Sequence, residues 1–291
     1  MAGLHRGLQN IWDNMQTAKP TIADTSAHAE FIDQIVDAGL DPEDPWVGGY
    51  VSVVWERARP FFLSRGLPAH GSKVLEFGCN FGATSVMLAS MGANVTAIDI
   101  NPSYVNIART NARAYGVSMH TEFLHVGDTR RLPFGDQSFD LVVCNSVLEY
   151  VDDEHLDTVL REIDRVLKTG GILFVLGTSN KLWPREVHSG VWLVNYIPSV
   201  LDPLLRRIVP KFERGLNPWR LVRSLDGYEN LDASDQGKSL MEGKRKTSSP
   251  LKCALLQLFG LASTAFGTSL GLLLPSIMVA LKKNASSAQT S

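Results

Sequence analysis

The sequence predicts a doubly wound α/β fold, with a mostly parallel sheet and helices on both of its faces. Three observations carry this expectation. From Lys73 onward, short β-rich runs alternate with segments of helical period. The first run, Val74-Leu75-Glu76-Phe77, passes through a glycine-punctuated turn, Gly78-Cys79-Asn80-Phe81-Gly82, into the helix-forming Ala83-Thr84-Ser85-Val86-Met87-Leu88-Ala89. The next two runs close on carboxylates, Asp99 after Val95-Thr96-Ala97-Ile98 and Asp128 after Phe123-Leu124-His125-Val126-Gly127. A parallel sheet binds ligands beyond the carboxyl ends of its strands, so these three acids mark where chemistry is expected.

The elements follow in order. Residues 25–40 and 48–66 read as helices, the second with Val51, Val54, Trp55 and Ala58 at helical spacing. Pro42 and Pro45 separate them. Strands are expected at 73–77, 94–98, 121–126, 139–144 and 171–177, and helices at 81–91, 103–115 and 153–168. Three regions result: an N-terminal helical cap over 1–66, an α/β core over 67–180, and a substrate-side loop and insert over 181–291 that ends in a final helix and strand of the same domain. Packing on the core is the plainer role for the cap, and covering a substrate pocket is the other.

Bulk properties narrow the function. The chain of 291 residues has a formal net charge of −2 and a sequence pI of about 6.4, so there is no global basic field for nucleic acid. Cys79, Cys144 and Cys253 lack metal-ligand spacing, and their odd number fits reduced thiols in a cytoplasmic protein better than a disulfide framework. No metal site is expected. The first residues, MAGLHRGLQNIWDNMQ, lack the long apolar stretch of a secretory signal.

The turn after the first strand brings backbone close to a ligand, because glycine adopts positive φ at little cost. The helix that follows offers unpaired N–H groups. Glu76, Asp99 and Asp128 at neighbouring strand ends are expected to converge on one crevice. A carboxylate there accepts two hydrogen bonds from a ribose diol. Taken singly, each acid also suits a helix cap or a solvated loop.

With these residues together the chain resembles the class I S-adenosylmethionine-dependent methyltransferases. The resemblance covers about residues 70–180. It rests on Glu76 through Gly82, Asp99, Gly127-Asp128, Leu132-Pro133-Phe134, Ser138-Phe139-Asp140-Leu141-Val142 and Glu162 through Gly171. It implies a Rossmann-like sheet of seven strands with the last antiparallel, and S-adenosylmethionine as cofactor. Glu76, Gly78, Cys79, Asn80 and Gly82 would hold the methionine part. Asp99, with Ile100 beside it, would take the ribose hydroxyls. Asp128 would contact the adenine amino group, next to Thr129. Asn145 would sit near the methionine part or the substrate, whereas Asp140 begins its strand away from the chemistry. Asn80 stands where the family usually has glycine. Asparagine tolerates left-handed backbone next best, so the turn should survive. Cys79 reads as a packing residue, with nothing basic adjacent to activate it. A nicotinamide fingerprint is excluded, because Asn80 and Ala83 fall where its second and third glycines belong.

The loop after the fifth strand carries the candidate acceptor chemistry. Trp183 and Trp192 suit an apolar substrate, and Glu186 and His188 suit proton removal from a hydroxyl. Glu186 and His188 equally suit a structural role, holding the loop through hydrogen bonds. Arg220 to Glu229 resembles the family's late helix and the glycine-aromatic start of a strand, and Asp232–Thr247 reads as a polar excursion. Cys253–Leu281 has no formal charge and is flanked by cations. It divides into an apolar helix, 251–270, inserted before a last antiparallel strand, Ser276–Lys283. Burial, a dimer surface, peripheral membrane contact and a membrane span are the roles open to that helix.

The expected function is methyl transfer from S-adenosylmethionine to a small-molecule or lipid-like acceptor at oxygen. Two alternatives are C-methylation of a quinone- or lipid-type acceptor, and a non-catalytic, membrane- or complex-anchored module on the same fold. The Asn/Asp-Pro-Pro-aromatic tetrad of amino-directed members is absent, with Asn145-Ser146-Val147-Leu148 in its place.

Overall fold

In the computed structural model the described residues are 18–209, 212–234 and 268–285, with isolated positions between 240 and 263. The chain divides into two compact units, Met1–Gly127 and Asp128–Ser291.

The first unit opens with α1 (Thr25–Asp37), which starts because the Asp24 side chain accepts the Ala27 N–H at 3.0 Å. Its apolar face, Phe31 and Ile35, packs on Phe81 and Ile107, so the expected N-terminal helix covers core. The second expected helix breaks in two, α2 (Tyr50–Arg57) and α3 (Arg59–Leu63). Pro60 sits in the first turn of α3, where its missing N–H costs no helical hydrogen bond. Next come β1 (Lys73–Phe77), α4 (Ala83–Ser90), β2 (Asn94–Asp99), α5 (Pro102–Ala114) and β3 (Thr121–His125). β1 pairs in parallel with β2, and β2 with β3. Between strands buried on both faces, α4 is buried from Ala83 to Ala89 and has no polar side.

The second unit holds β4 (Phe139–Asn145), α6 (Leu156–Val166) and β5 (Leu167–Ser179), with β4 parallel to β5. α6 is amphipathic and buries Leu156, Val159, Leu160, Ile163 and Val166 at helical spacing. β5 begins four residues earlier than the glycine pair suggested. Gly170 (φ 78) takes up a register shift against β4, so Gly170-Gly171 forms a bulge within the strand instead of the turn before it. Then follow α7 (Asp202–Ile208), α8 (Pro218–Ser224), β6 (Tyr228–Asn230), α9 (Leu231–Ser234), α10 (Leu270–Leu273) and β7 (Ser276–Lys283). β7 runs antiparallel to both β5 and β6, over the residues expected for the last strand. The strand order of the seven-stranded, mostly parallel sheet is β3-β2-β1-β4-β5-β7-β6.

The apolar helix expected over 251–270 falls largely outside the described residues. Asp232, expected on a polar excursion, is instead buried, and its carboxylate accepts the Ala280 N–H of β7 at 2.8 Å. Among the described residues no helix is long and apolar enough to cross a membrane.

Candidate functional site

In the first unit β1 delivers the chain to the turn 78–82. Gly78 (φ 77), Asn80 (φ 48) and Gly82 (φ 77) all take left-handed backbone. Asn80 therefore adopts the conformation in which the family usually places glycine. A side chain at Gly82 is strained and crowded, because its φ is left-handed and a Cβ would lie 3.0 Å from the Ala108 Cβ and 3.2 Å from the Phe123 ring. The turn is tied to the end of β2. The N–H groups of Gly78 and Cys79 both donate to the Ile98 carbonyl at 2.9 Å. The Asn80 N–H donates to Asp99 Oδ2 at 2.9 Å, and the Asn101 N–H donates to Asp99 Oδ1 at 2.9 Å.

Asp99 is thus fixed by two backbone donors, one on each oxygen. Each oxygen keeps acceptor capacity, enough for the two hydroxyls of a ribose. Ile100 next to it is 64% exposed, an apolar face at a strand end. The Asn80 Oδ1 is buried and has no donor among the described residues. An orphaned acceptor in a glycine turn, beside a free-facing carboxylate, fits a ligand that brings an ammonium and a diol, as S-adenosylmethionine does.

Glu76 behaves differently. It is 1% exposed, and the Ser85 hydroxyl of α4 donates to its Oε2. Burial pushes its carboxyl up to about 8, against hydrogen bonds from Ser85 and Thr84 and aided by the charge of Asp99. Near neutral pH Glu76 is therefore mostly an uncharged acid. Burial likewise holds the Cys79 thiol well above its ordinary value, which matches a packing role.

The second unit begins at Asp128, which is exposed and gripped by Arg130. The Arg130 N–H and Nε donate to Oδ1 and Nη2 donates to Oδ2, each at 2.9 Å. These bonds pull the carboxyl down to about 2. Thr129 beside it is half-buried. Asn145 ends β4 opposite Leu176. At Gly177 (φ 69) a Cβ would fall 2.4 Å from Ser146 Oγ and 3.0 Å from Asn145 Oδ1, so this close approach needs glycine. Asp140 starts β4 and pairs with Lys168 Nζ at 2.6 Å.

The loop after β5 brings His188 and Glu186 together. The His188 Nδ1 lies 2.9 Å from Glu186 Oε1, which also accepts the His188 N–H at 2.8 Å. The Ser189 N–H donates to Glu186 Oε2. Burial alone pushes Glu186 up, but the bonds from His188 and Ser189 outweigh it and bring the carboxyl down to about 2. That carboxylate holds the imidazole of His188 above its ordinary value. With Nδ1 turned to Glu186, Nε2 lies 3.4 Å from the Tyr150 hydroxyl and 3.8 Å from Glu149 Oε1.

Glu149 is a residue the sequence reading passed over. It occupies the single helical turn Leu148–Tyr150 after β4, is 6% exposed, and accepts the Ser179 N–H at 3.3 Å. Burial pushes its carboxyl up to about 7, against the charge of His188 and its hydrogen bonds. Its signal was a lone carboxylate in the apolar Val147-Leu148-Glu149-Tyr150-Val151, one residue beyond the segment compared with the amino-directed tetrad. Among the described residues no cluster of His, Cys, Asp and Glu is arranged to hold a metal ion.

Comparison with known proteins supplies the family. The methyltransferase domain family matches residues 75–175. A ubiquinone biosynthesis O-methyltransferase of Xanthomonas axonopodis pv. citri is 38% identical over 140 residues, covering 48% of this chain and 56% of the relative. The match thus spans little more than half the length of that curated relative. An uncharacterized protein of Haemophilus influenzae is 26% identical over 196 residues, covering 65% of this chain and 71% of its own. A SAM-dependent methyltransferase structure from Methanosarcina mazei superposes with a TM-score of 0.51 at 19% identity, over 77% of this chain and 98% of the other, and shares the fold. The turn at 78–82, the Asp99 carboxylate bound to it and the matched sequence lead to one assignment: residues 75–175 form a methyltransferase domain of the class I S-adenosylmethionine-dependent type, whose cofactor is S-adenosylmethionine.

Proposed function

We propose that this protein transfers a methyl group from S-adenosylmethionine to an oxygen of a small-molecule or lipid-like acceptor. The observation that carries the choice of oxygen is the Glu186–His188 pair. A hydroxyl must lose its proton as it takes the methyl group. An imidazole whose Nδ1–H is held by a buried carboxylate keeps Nε2 as the basic atom. The sulfonium is a good leaving group, so alignment and proximity provide much of the remaining acceleration. The name of the Xanthomonas relatives supports an oxygen acceptor and, through ubiquinone precursors, one of lipid-like character.

In this reading Asp99 binds the ribose, Ile100 packs on the base, and Gly78, Cys79, Asn80 and Gly82 shape the cradle for the methionine part. Glu76 supports that cradle from below through Ser85. The assignment of Asp128, Thr129 and Asn145 to the cofactor rests on the family resemblance. The charged, solvent-facing Asp128 is compatible with accepting an amino group. The match of residues 75–175 to the methyltransferase domain family favours the enzyme over a non-catalytic module.

Titration calorimetry of the folded protein with S-adenosylmethionine tests the cofactor. Mass spectrometry of cell extract incubated with the protein and an isotopically labelled methyl donor tests the acceptor. Absence of binding at high micromolar cofactor defeats the proposal, and a product labelled at nitrogen or carbon defeats the choice of oxygen.

A further inference from the structure

The segment between Val187 and Ile208 turns apolar side chains toward solvent. Trp192, Leu193, Tyr196, Val200, Leu204 and Ile208 are each more than half exposed. This is an ordered surface. Val194, Leu205 and Phe212 form a small core of their own beneath it, with Ile197 and Val209 packed against them. Arg214 ties the segment down, donating to the Asn195 carbonyl at 2.9 Å and pairing with Asp202. In α7 the buried Leu205 fixes the orientation, so Leu204 and Ile208, one turn apart, share an outer flank while Arg207 points away from the small core. Leu193 is left-handed (φ 61), a conformation that suits glycine or asparagine, yet the position carries a large apolar side chain in water.

Charge follows the same pattern. Residues 181–223 hold eight Lys and Arg against three Asp and Glu, in a chain whose formal net charge is −2. All three acids are committed within the segment: Glu186 to His188 and Ser189, Asp202 to Arg214, and Glu213 to Arg206. Of the cations, Lys181 and Arg220 pair with Asp153 and Asp157 outside the segment, and Arg206 and Arg214 with acids within it, which leaves Arg185, Arg207 and Arg223 with no acid partner among the described residues. The outward surface is therefore apolar with a smaller cationic excess, and carries both aromatic rings that suit a headgroup boundary.

We propose that this face docks peripherally on an anionic lipid bilayer. The apolar side chains enter the headgroup boundary and the arginines meet lipid phosphates. An anionic bilayer supplies both the apolar depth and the negative charge that this surface lacks. The docking itself stands without the methyl-transfer reading. Joined to that reading, it sets the His188 loop, which belongs to the same segment, at the surface where a lipid-like acceptor dissolves.

The test uses the full-length protein and sedimentation with phosphatidylcholine vesicles, with and without phosphatidylglycerol. Binding is expected to the anionic vesicles and to weaken as salt rises. Leu204→Asp with Ile208→Asp should weaken it by about tenfold or more, and Arg207→Glu by a smaller factor. Met119→Asp, at another exposed apolar position, should leave it unchanged. Calorimetry with S-adenosylmethionine on each variant confirms folding and reports separately on the methyltransferase reading. Absence of sedimentation with anionic vesicles overturns the proposal. So does equal binding by Leu204→Asp/Ile208→Asp and Met119→Asp, or a dimer in light scattering that Leu204→Asp dissociates.

Discussion

Replacing Glu76 by Gln removes a titratable group from the core of the first unit while keeping its shape and its contact with Ser85. Burial moves this carboxyl from its ordinary 4.5 to about 8. The folded state therefore holds a proton that the unfolded chain has lost, throughout the window between those values. Stability falls as pH rises through that window, and the contribution is flat below 4.5 and above 8. At about 1.4 kcal/mol per unit the full loss approaches about 5 kcal/mol. The Gln variant carries no such loss. It gives up on the order of 1 kcal/mol in hydrogen-bond quality at low pH. The two stability curves should thus cross between about pH 5 and 6, with the variant more stable by several kcal/mol at pH 8. Urea denaturation of the cofactor-free protein at half-unit pH steps reads this directly, as a midpoint difference on the order of 1 M or more at pH 8. Curves that stay parallel from pH 5 to 8 refute the reasoning, because they require Glu76 to be ionised in the fold.

The other predictions concern the turn and the base. Asp99→Ala should weaken S-adenosylmethionine binding in calorimetry by about 30-fold or more, since two charge-assisted bonds are at stake. Asn80→Gly should keep the turn, because φ 48 is a conformation that glycine adopts freely, but should weaken affinity by about tenfold through loss of the Oδ1 acceptor. Gly82→Ala should cost about 2–4 kcal/mol in thermal or urea unfolding, from a left-handed residue whose Cβ meets Ala108 and Phe123. His188→Gln should lower turnover by about 10²-fold or more without altering cofactor affinity. The base works unprotonated, so the rate should rise with pH through an inflection above the ordinary histidine value. Glu186→Gln should move that inflection to lower pH, since its carboxylate is the first cause of the shift. An unmoved inflection would show that His188 is not the group being titrated.

Most of the sheet was legible because each β-run was short, apolar and followed by a helix or a turn residue. β7 was found to the residue, since Pro275 and the cations Lys282 and Lys283 bound an uncharged run. The misjudged places were those where tertiary context overrides local signals. Gly170-Gly171 reads as a turn in any window, and only the pairing of β5 with β4 turns it into a bulge. The helix over 48–66 looked continuous because apolar spacing persists across Ala58, while a new helix starts one residue later at Arg59, with Pro60 in its first turn. Among the expected site residues, place at the strand ends was legible but protonation was not. Glu76 and Asp99 look equivalent as strand-end acids. One faces Ser85 in a dry interior, and the other holds two backbone N–H groups at the sheet's end. Sequence supplies the carboxyl groups, but only the folded interior reveals that burial raises the Glu76 carboxyl.

The same contrast explains where the particular chemistry of this protein lies. In the proposed reading the turn and Asp99 answer to the cofactor, which many chains on this fold share. The segment after β5 touches the sheet through the Leu216 N–H, which donates to the Ser179 carbonyl, and touches α6 through Arg220. It has its own small core in Val194, Leu205 and Phe212, and its own ion pairs. It holds His188 against Glu186 and leaves Trp192, Leu204 and Ile208 in water. A segment that only closed the fold would gain by turning those side chains inward, at roughly 25 cal/mol for each Å² removed from water. Their exposure is what the proposed docking on a bilayer would relieve. In the proposed reading the base and the apolar face sit on one stretch of fewer than thirty residues, which suits an acceptor that reaches His188 from an apolar phase.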